Sequence, residues 1–262
     1  MSRDRQPLSS KLFLLKEMVV RDVRARHAGS GLGAAWMVLQ PILWMVLYTA
    51  VFSVILRVPI EPGFATFPEF LMAGLLPWMA IQEGIARSAV SLTDNAVMVK
   101  KAVFPIEILP ASIVVAAVAS QLVAFAVFAV YVAFLGHLSL PWLLLIVPAL
   151  ALQVVLTFGL GCLAAAVTTF VRDAAHAIGI LLTVIFFLTP IVYPASLAPE
   201  PFRSLLSANP VTHLVEWYRS AFTLHALPDP ASVAYVTAVS GALAALGLVL
   251  FAKGRPHFAD LL

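Results

Sequence analysis

Six apolar runs alternate with short polar breaks along the chain, at roughly 36–56, 70–89, 108–135, 142–171, 174–193 and 233–251. Each is near the length of about 20 apolar residues that a helix needs to cross the hydrocarbon core. From Ile108 to Val171, 64 residues pass without one Asp, Glu, Lys or Arg. That stretch has room for two crossings, with the turn Gly136-His137-Leu138-Ser139 between them and Trp142 at headgroup level. The pattern predicts an all-α integral membrane protein with six transmembrane helices. Residues 1–35 form an N-terminal segment, 36–252 the transmembrane domain and 253–262 a tail.

The segments outside the runs predict smaller elements. Leu12, Leu15, Val19 and Val23 recur at helical spacing in a basic setting, with Lys16 and Asp22 intruding on that face. This reads as a helix lying along an anionic membrane surface, and a solvated basic arm is the alternative. Gly29-Ser30-Gly31-Leu32-Gly33 fails the spacing of a phosphate-binding loop and supplies backbone freedom where that helix bends into the first run. Over about 93–104, Thr93, Asp94 or Asn95 can cap a short helix whose end carries Lys100 and Lys101 and which Pro105 stops; an ordinary connecting loop fits equally well. Over about 199–222, Asn209-Pro210 opens an amphipathic helix too short to span. Val211, Leu214, Val215, Tyr218 and Phe222 line one side, and His213, Glu216 and Arg219 the other, with Glu216 and Arg219 spaced to pair. Such re-entrant or interfacial helices form either a lid over a pathway or a packing cap. In the last run Ala238, Gly241, Ala242 and Ala245 share a face, which predicts close packing there.

Composition agrees with the pattern: 62% of residues are hydrophobic and 11% charged, against about 25% charged in soluble domains. The net charge of +3 does not indicate nucleic acid, because the basic residues follow the breaks between runs. Thirteen of them (Arg3, Arg5, Lys11, Lys16, Arg21, Arg24, Arg26, Arg87, Lys100, Lys101, Arg172, Lys253, Arg255) fall on one side of a six-span topology, and three (Arg57, Arg203, Arg219) on the other. Basic residues favour the cytoplasmic face, which places both termini in the cytoplasm. The apolar run Leu12-Phe13-Leu14-Leu15 ends at Lys16-Glu17, too soon for a cleavable signal. Cys162 reads as a small packing residue.

Catalytic chemistry finds no support. Glu83 and Arg87 can neutralise each other at i, i+4, and no acidic residue falls at mid-membrane, where ion-coupled carriers usually keep one. No Walker, H-E-x-x-H, G-x-S-x-G or Cys/His metal spacing occurs, so no catalytic residue, cofactor or metal site is expected in this chain. His27, His137, His213 and His257 read as isolated polar residues. Trp44, Tyr48 and Phe52 in the first run, and Phe186, Phe187 and Tyr193 in the fifth, read as packing or belt residues. Their alternative role is a neutral aromatic conduit whose faces stack on sugar rings.

Arg21-Asp22, Arg26, Ser30, Leu32-Gly33, Trp36 and Pro41 stand in an order that resembles the start of ABC-2 type permeases exporting cell-surface polysaccharides. Gly74-Leu75-Leu76-Pro77-Trp78, Asn95, Lys100-Lys101, Phe104-Pro105 and Leu109-Pro110 are similar to a second motif of that family. Asn209-Pro210, Tyr218-Arg219 and the stretch from Phe251 to Phe258-Ala259-Asp260 are similar to its C-terminal portion; His27 stands where tyrosine is usual. The resemblance implies that 93–104 is a coupling helix docking on a separate ATPase through Asn95, Met98, Lys100, Lys101 and Phe104. It also implies two permease copies with two ATPase subunits, ATP and Mg being bound by the ATPase. A channel between the permeases would be lined by the aromatics above and gated externally by Leu214, Glu216, Trp217, Tyr218 and Arg219. The implied cargo is undecaprenyl-linked polysaccharide, O-antigen first, carried across the inner membrane. Teichoic acid or a small lipophilic drug is the nearest alternative cargo, and an ion-coupled carrier or membrane enzyme has less support.

Overall fold

Apolar side chains leave the backbone no water to bond with in a bilayer, so the chain satisfies its N–H and C=O groups within helices. The computed structural model describes residues 8–26, 31–100 and 104–262, apart from the side chains of residues 8 and 34, and these contain helices and no strand. His27, Gly29, Ser30 and Lys101 lie outside the described residues.

In chain order the main helices are α1 (Leu8–Ala25), α2 (Trp36–Tyr48, continued by a π-helical stretch Thr49–Ile55), α3 (Phe67–Asp94), α4 (Ala96–Val99) and α5 (Ile108–Phe134). They are followed by α6 (Leu140–Leu143), α7 (Ile146–Phe170), α8 (Ala174–Phe187), α9 (Glu200–Ala208), α10 (Pro210–Arg219, continued by a π-helical stretch Ser220–Leu224) and α11 (Pro230–Leu261). Gly33 takes φ +51° in the turn between α1 and α2, a conformation that costs other residues energy.

α3 is the centre of the packing. It starts with a capping box in which Glu69 Oε2 accepts from the backbone N–H groups of Ala65 (2.9 Å) and Thr66 (3.0 Å). It then buries Phe70, Leu71, Met72, Trp78 and Ile81 against α5, α7, α8 and α10. α7 crosses between α3 and α11, and glycines allow the approach on both sides. A Cβ built on Gly161 would stand 2.9 Å from Ser88 Oγ on α3, and one on Gly159 would stand 2.8 Å from the backbone nitrogen of Ala244 on α11.

Among the described residues four segments are long and apolar enough to cross a membrane: Trp36–Ile55, Ile108–Phe134, Leu140–Phe170 and Pro230–Leu261. Two of the six expected spans differ. α3 has the length, at 28 residues, but carries Glu69, Glu83, Arg87 and Asp94. α8 is helical for only 14 residues, because Pro190 disfavours helical backbone at Thr189.

Two expectations are corrected. The face of α11 that packs within the chain is Val236, Ser240, Ala244 and Gly247, whereas Ala238, Gly241, Ala242 and Ala245 are exposed and a Cβ at Gly241 would touch nothing within 4 Å. Small residues lie all round this helix, so spacing alone does not select the buried side. Asn95 stands at the N-cap of α4, but no side chain makes the capping bond there: the Thr93 hydroxyl donates to Val90 O (2.7 Å) and Asn95 Nδ2 to Ser91 O (2.9 Å). They close α3 instead, because α3 runs up to Asp94 and its last carbonyls need donors first. Among the described residues of 93–104, the short helix after α3 is the single turn Ala96–Val99, and α11 runs on through residues 253–261.

Candidate functional site

At the end of the bundle formed by α1, α4 and the last turns of α11, α4 presents Val97, 74% exposed, and Lys100 to the surface, while Val99 is buried. Asn95, Met98 and Phe104 are half-buried. Val99 and Ile106 sink into a cluster with Leu92, Leu109, Cys162, Phe251 and Phe258, and Phe104 packs on its edge. Of the candidate coupling residues, Asn95, Met98 and Lys100 therefore stand on or at the ends of a turn anchored from beneath.

Beside this end, α1 meets α3 through four charges. Arg26 pairs with Asp22 (3.0 Å) and Glu83 (2.8 Å), and Arg87 pairs with Glu83 (3.1 Å) and with both oxygens of Asp22. Arg26 Nη1 also donates to Ser120 Oγ on α5 (3.0 Å). Two cations and two anions close a neutral loop, which lowers the cost of holding charge in a partly buried, largely apolar setting. Burial alone would raise the Asp22 carboxyl, but the hydrogen bonds and charge of Arg87, with those of Arg26, outweigh it and hold the group below its ordinary value. The expected Glu83–Arg87 pair is thus half of a larger group. A cavity of about 310 Å³ opens above it between α2, α3 and α5, lined by Arg26, Gln40, Glu83, Ser120 and Gln121 together with Met37, Pro41 and Met79.

Gln121 joins this cavity to a polar group inside the bundle. Gln121 and Gln153 exchange amide hydrogen bonds (3.1 and 2.6 Å), and the Tyr218 hydroxyl donates to Gln153 Oε1 (2.6 Å). α5, α7 and α10 are thereby tied together where neither glutamine is exposed to solvent.

α10 is a wedge. Asn209 caps it by accepting from Val211 N (3.0 Å) and fastens it to the end of α8 by donating to Leu188 O (3.2 Å) and Thr189 Oγ1 (2.8 Å). Leu214, Trp217, Tyr218 and Arg219 are buried within the chain, and Glu216 is exposed. The expected Glu216–Arg219 pair does not form. Arg219 is 3% exposed, donates to the carbonyls of Phe70 (3.3 Å), Pro190 (2.8 Å) and Ile191 (3.2 Å), and lies 3.7 Å from the centre of the Phe70 ring. The tight fit of α10 on α3 explains this: a Cβ at Gly74 would stand 2.9 Å from Val215 Cγ1, so Arg219 is pressed onto the carbonyls that the broken end of α8 leaves open.

The aromatics form two groups, both reaching α3. The rings of Trp44, Tyr48 and Phe52 follow one another along α2 and its π-helical continuation at separations of 5.5 and 5.9 Å, and Phe52 stacks on Phe67 of α3 at 6.5 Å. Phe186 lies 5.9 Å from Trp78 and 5.1 Å from Phe187, and the Tyr193 hydroxyl donates to Phe187 O (2.6 Å). All six are at least partly exposed on the isolated chain. Among the described residues no three His, Cys, Asp or Glu side chains gather as a metal site.

Sequence reasoning missed the Asp22–Arg26 half of the charge group and the glutamine pair. Both left a signal: an i, i+4 acid and base in the N-terminal helix, and single glutamines in the uncharged stretch of 64 residues. It also missed Glu69, fully buried, whose Oε1 lies 2.8 Å from His137 Nδ1.

The family profile described as ABC-2 type transporter matches residues 14–223. The chain belongs to the ABC-2 type transporter family. This ABC-2 chain is 33% identical over 250 residues to the O-antigen export system permease protein RfbA of Myxococcus xanthus, covering 94% of each. It is 31% identical over 252 residues to the protein of the same name from Klebsiella pneumoniae, covering 95% of each. The polysialic acid transport protein KpsM of Escherichia coli is 23% identical over 242 residues, with 90% of this ABC-2 chain and 92% of that protein covered.

Proposed function

We propose that this ABC-2 chain is the permease subunit of an ATP-driven exporter carrying undecaprenyl-linked polysaccharide of the O-antigen class across the inner membrane. The observation that carries the reading is the similarity, along nearly the whole length of both chains, to proteins named O-antigen export permeases. Two copies work with two ATPase subunits, and ATP and Mg are handled by the ATPase. Each copy crosses the membrane six times with both termini in the cytoplasm, the charged α3 and the short α8 completing the four long apolar segments.

In this arrangement α4 faces the cytoplasm. Asn95, Met98, Lys100, Lys101 and Phe104 form or support the docking surface. Trp44, Tyr48, Phe52, Phe186, Phe187 and Tyr193 offer the passing polymer aromatic faces in place of charges, which suits a bulky hydroxyl-rich cargo that must not be held tightly. The helices over 199–222 close the outer end, with Leu214, Trp217, Tyr218 and Arg219 seating the closure and Glu216 on its surface.

Affinity purification of the tagged chain tests the assignment. An ABC ATPase is expected to co-purify in equal amount, and Asn95→Asp with Met98→Asp should release it while the permease stays monodisperse. Retention of the ATPase by that variant, or purification without an ATPase, would contradict the docking role.

A further inference from the structure

The start of α5, the next long helix after α4, is held from both ends of the chain. Glu107, three residues beyond Phe104, accepts from Lys11 Nζ of α1 at 3.0 Å through Oε1, and its Oε2 lies 3.9 Å from Arg255 Nη2 of α11. Beneath these charges the buried Phe258 ring of α11 packs against Phe170 at 6.0 Å and Phe251 at 5.3 Å. Val99 and Ile106 are buried in the same cluster, with Met18 of α1 on its edge. A single carboxylate at the exit of the docking segment therefore joins helices separated by most of the chain.

We propose that Glu107 is a positioning residue for transport, tying the α4 segment to α1 and to the end of α11 so that movement imposed on α4 reaches both helices together. The proposal rests on the reading that α4 docks on the ATPase. The apolar cluster alone resists separation but is non-directional and tolerates sliding; the two charge pairs fix where along α1 and α11 the segment sits. Each of the three side chains is about one-third exposed or less, so the pairs add little to stability and act through geometry.

The test uses the permease–ATPase complex in liposomes, with polymer exported per ATP hydrolysed as the readout. Glu107→Gln should retain the ATPase and its thermal stability while this ratio falls by about fivefold or more, the lower end of coupling between linked sites. Reversing all three charges (Lys11→Glu, Glu107→Lys, Arg255→Glu) should restore the ratio to within about twofold of wild type, which a merely structural loss would not allow. A wild-type ratio in Glu107→Gln, or a triple variant as impaired as the single one, would overturn the proposal. Spin labels at the exposed Leu12 and Val97 separate this claim from docking: without any ATPase, their distance distribution should be narrow in the otherwise wild-type chain and broad in Glu107→Gln. Equal widths would overturn the positioning role even if docking stands. Loss of docking in the Asn95→Asp, Met98→Asp variant is scored independently.

Discussion

Replacing Gly247 by alanine places a methyl group on α11 where α7 leaves no room. Its Cβ would stand 2.8 Å from the carbonyl carbon of Gly159 and closer still to the oxygen. Both obstructing atoms are backbone, so no side-chain rotation relieves the clash and the helices must move apart. Overpacking of this kind costs about 1–3 kcal/mol, while alanine returns about 1 kcal/mol of helix propensity over glycine. The net loss should be about 1–2 kcal/mol, given that backbone meets backbone. Gly241→Ala is the matched control: nothing lies within 4 Å of its Cβ, so only the propensity gain of about 1 kcal/mol remains. The two variants should differ by about 2–3 kcal/mol, or about 4–12 °C in Tm for a chain of this size. Thermal unfolding in detergent, followed by the monodisperse fraction, measures that gap. Equal destabilisation by both variants, or a neutral Gly247→Ala, would refute the packing assigned to α7 and α11.

Gln153→Leu should destabilise by about 1–3 kcal/mol because it strands the Gln121 amide and the Tyr218 hydroxyl. Tyr218→Phe should cost about 0.6 kcal/mol, since Gln153 Oε1 keeps its bond from Gln121; the same melting assay compares them. Arg219→Lys should cost about 1.5–3 kcal/mol, because an ammonium cannot reproduce three carbonyl contacts and the stacking on Phe70. Glu216→Gln should stay within about 0.5 kcal/mol, and equal effects would restore the simple surface pair. The Asp22 carboxyl is lowered from an ordinary 3.8, so its stabilising contribution is complete above that pH and is lost as pH falls through the folded value. Melting temperature should drop more steeply below about pH 4 in wild type than in Asp22→Asn, and parallel profiles would contradict the charge group.

The membrane class, the long apolar helices, the turn at Gly136 and the capped start of α10 at Asn209-Pro210 were legible in the sequence, because each depends on hydrophobic length or on residues within a few positions. The buried face of α11 was not. Lipid and protein interior are similarly apolar, so hydrophobic periodicity no longer marks the packed side, and Gly241 and Gly247 look alike until α7 is in place. The candidate site was legible as residue identities but not as partnerships. Asp22 meets Arg87 across 65 positions and Lys11 meets Glu107 across 96, separations to which no local pattern responds. Arg219 was misplaced for a further reason: i, i+3 spacing suggested a surface pair, whereas the break after α8 provides carbonyls that bind a buried guanidinium.

The distribution of lipid-linked polysaccharide across the inner membrane of a strain lacking this chain shows whether the chain is an export permease. Surface polysaccharide should disappear while undecaprenyl-linked polymer accumulates on the cytoplasmic face, and the wild-type gene should restore export. Undiminished surface polysaccharide, with no internal accumulation, would contradict it.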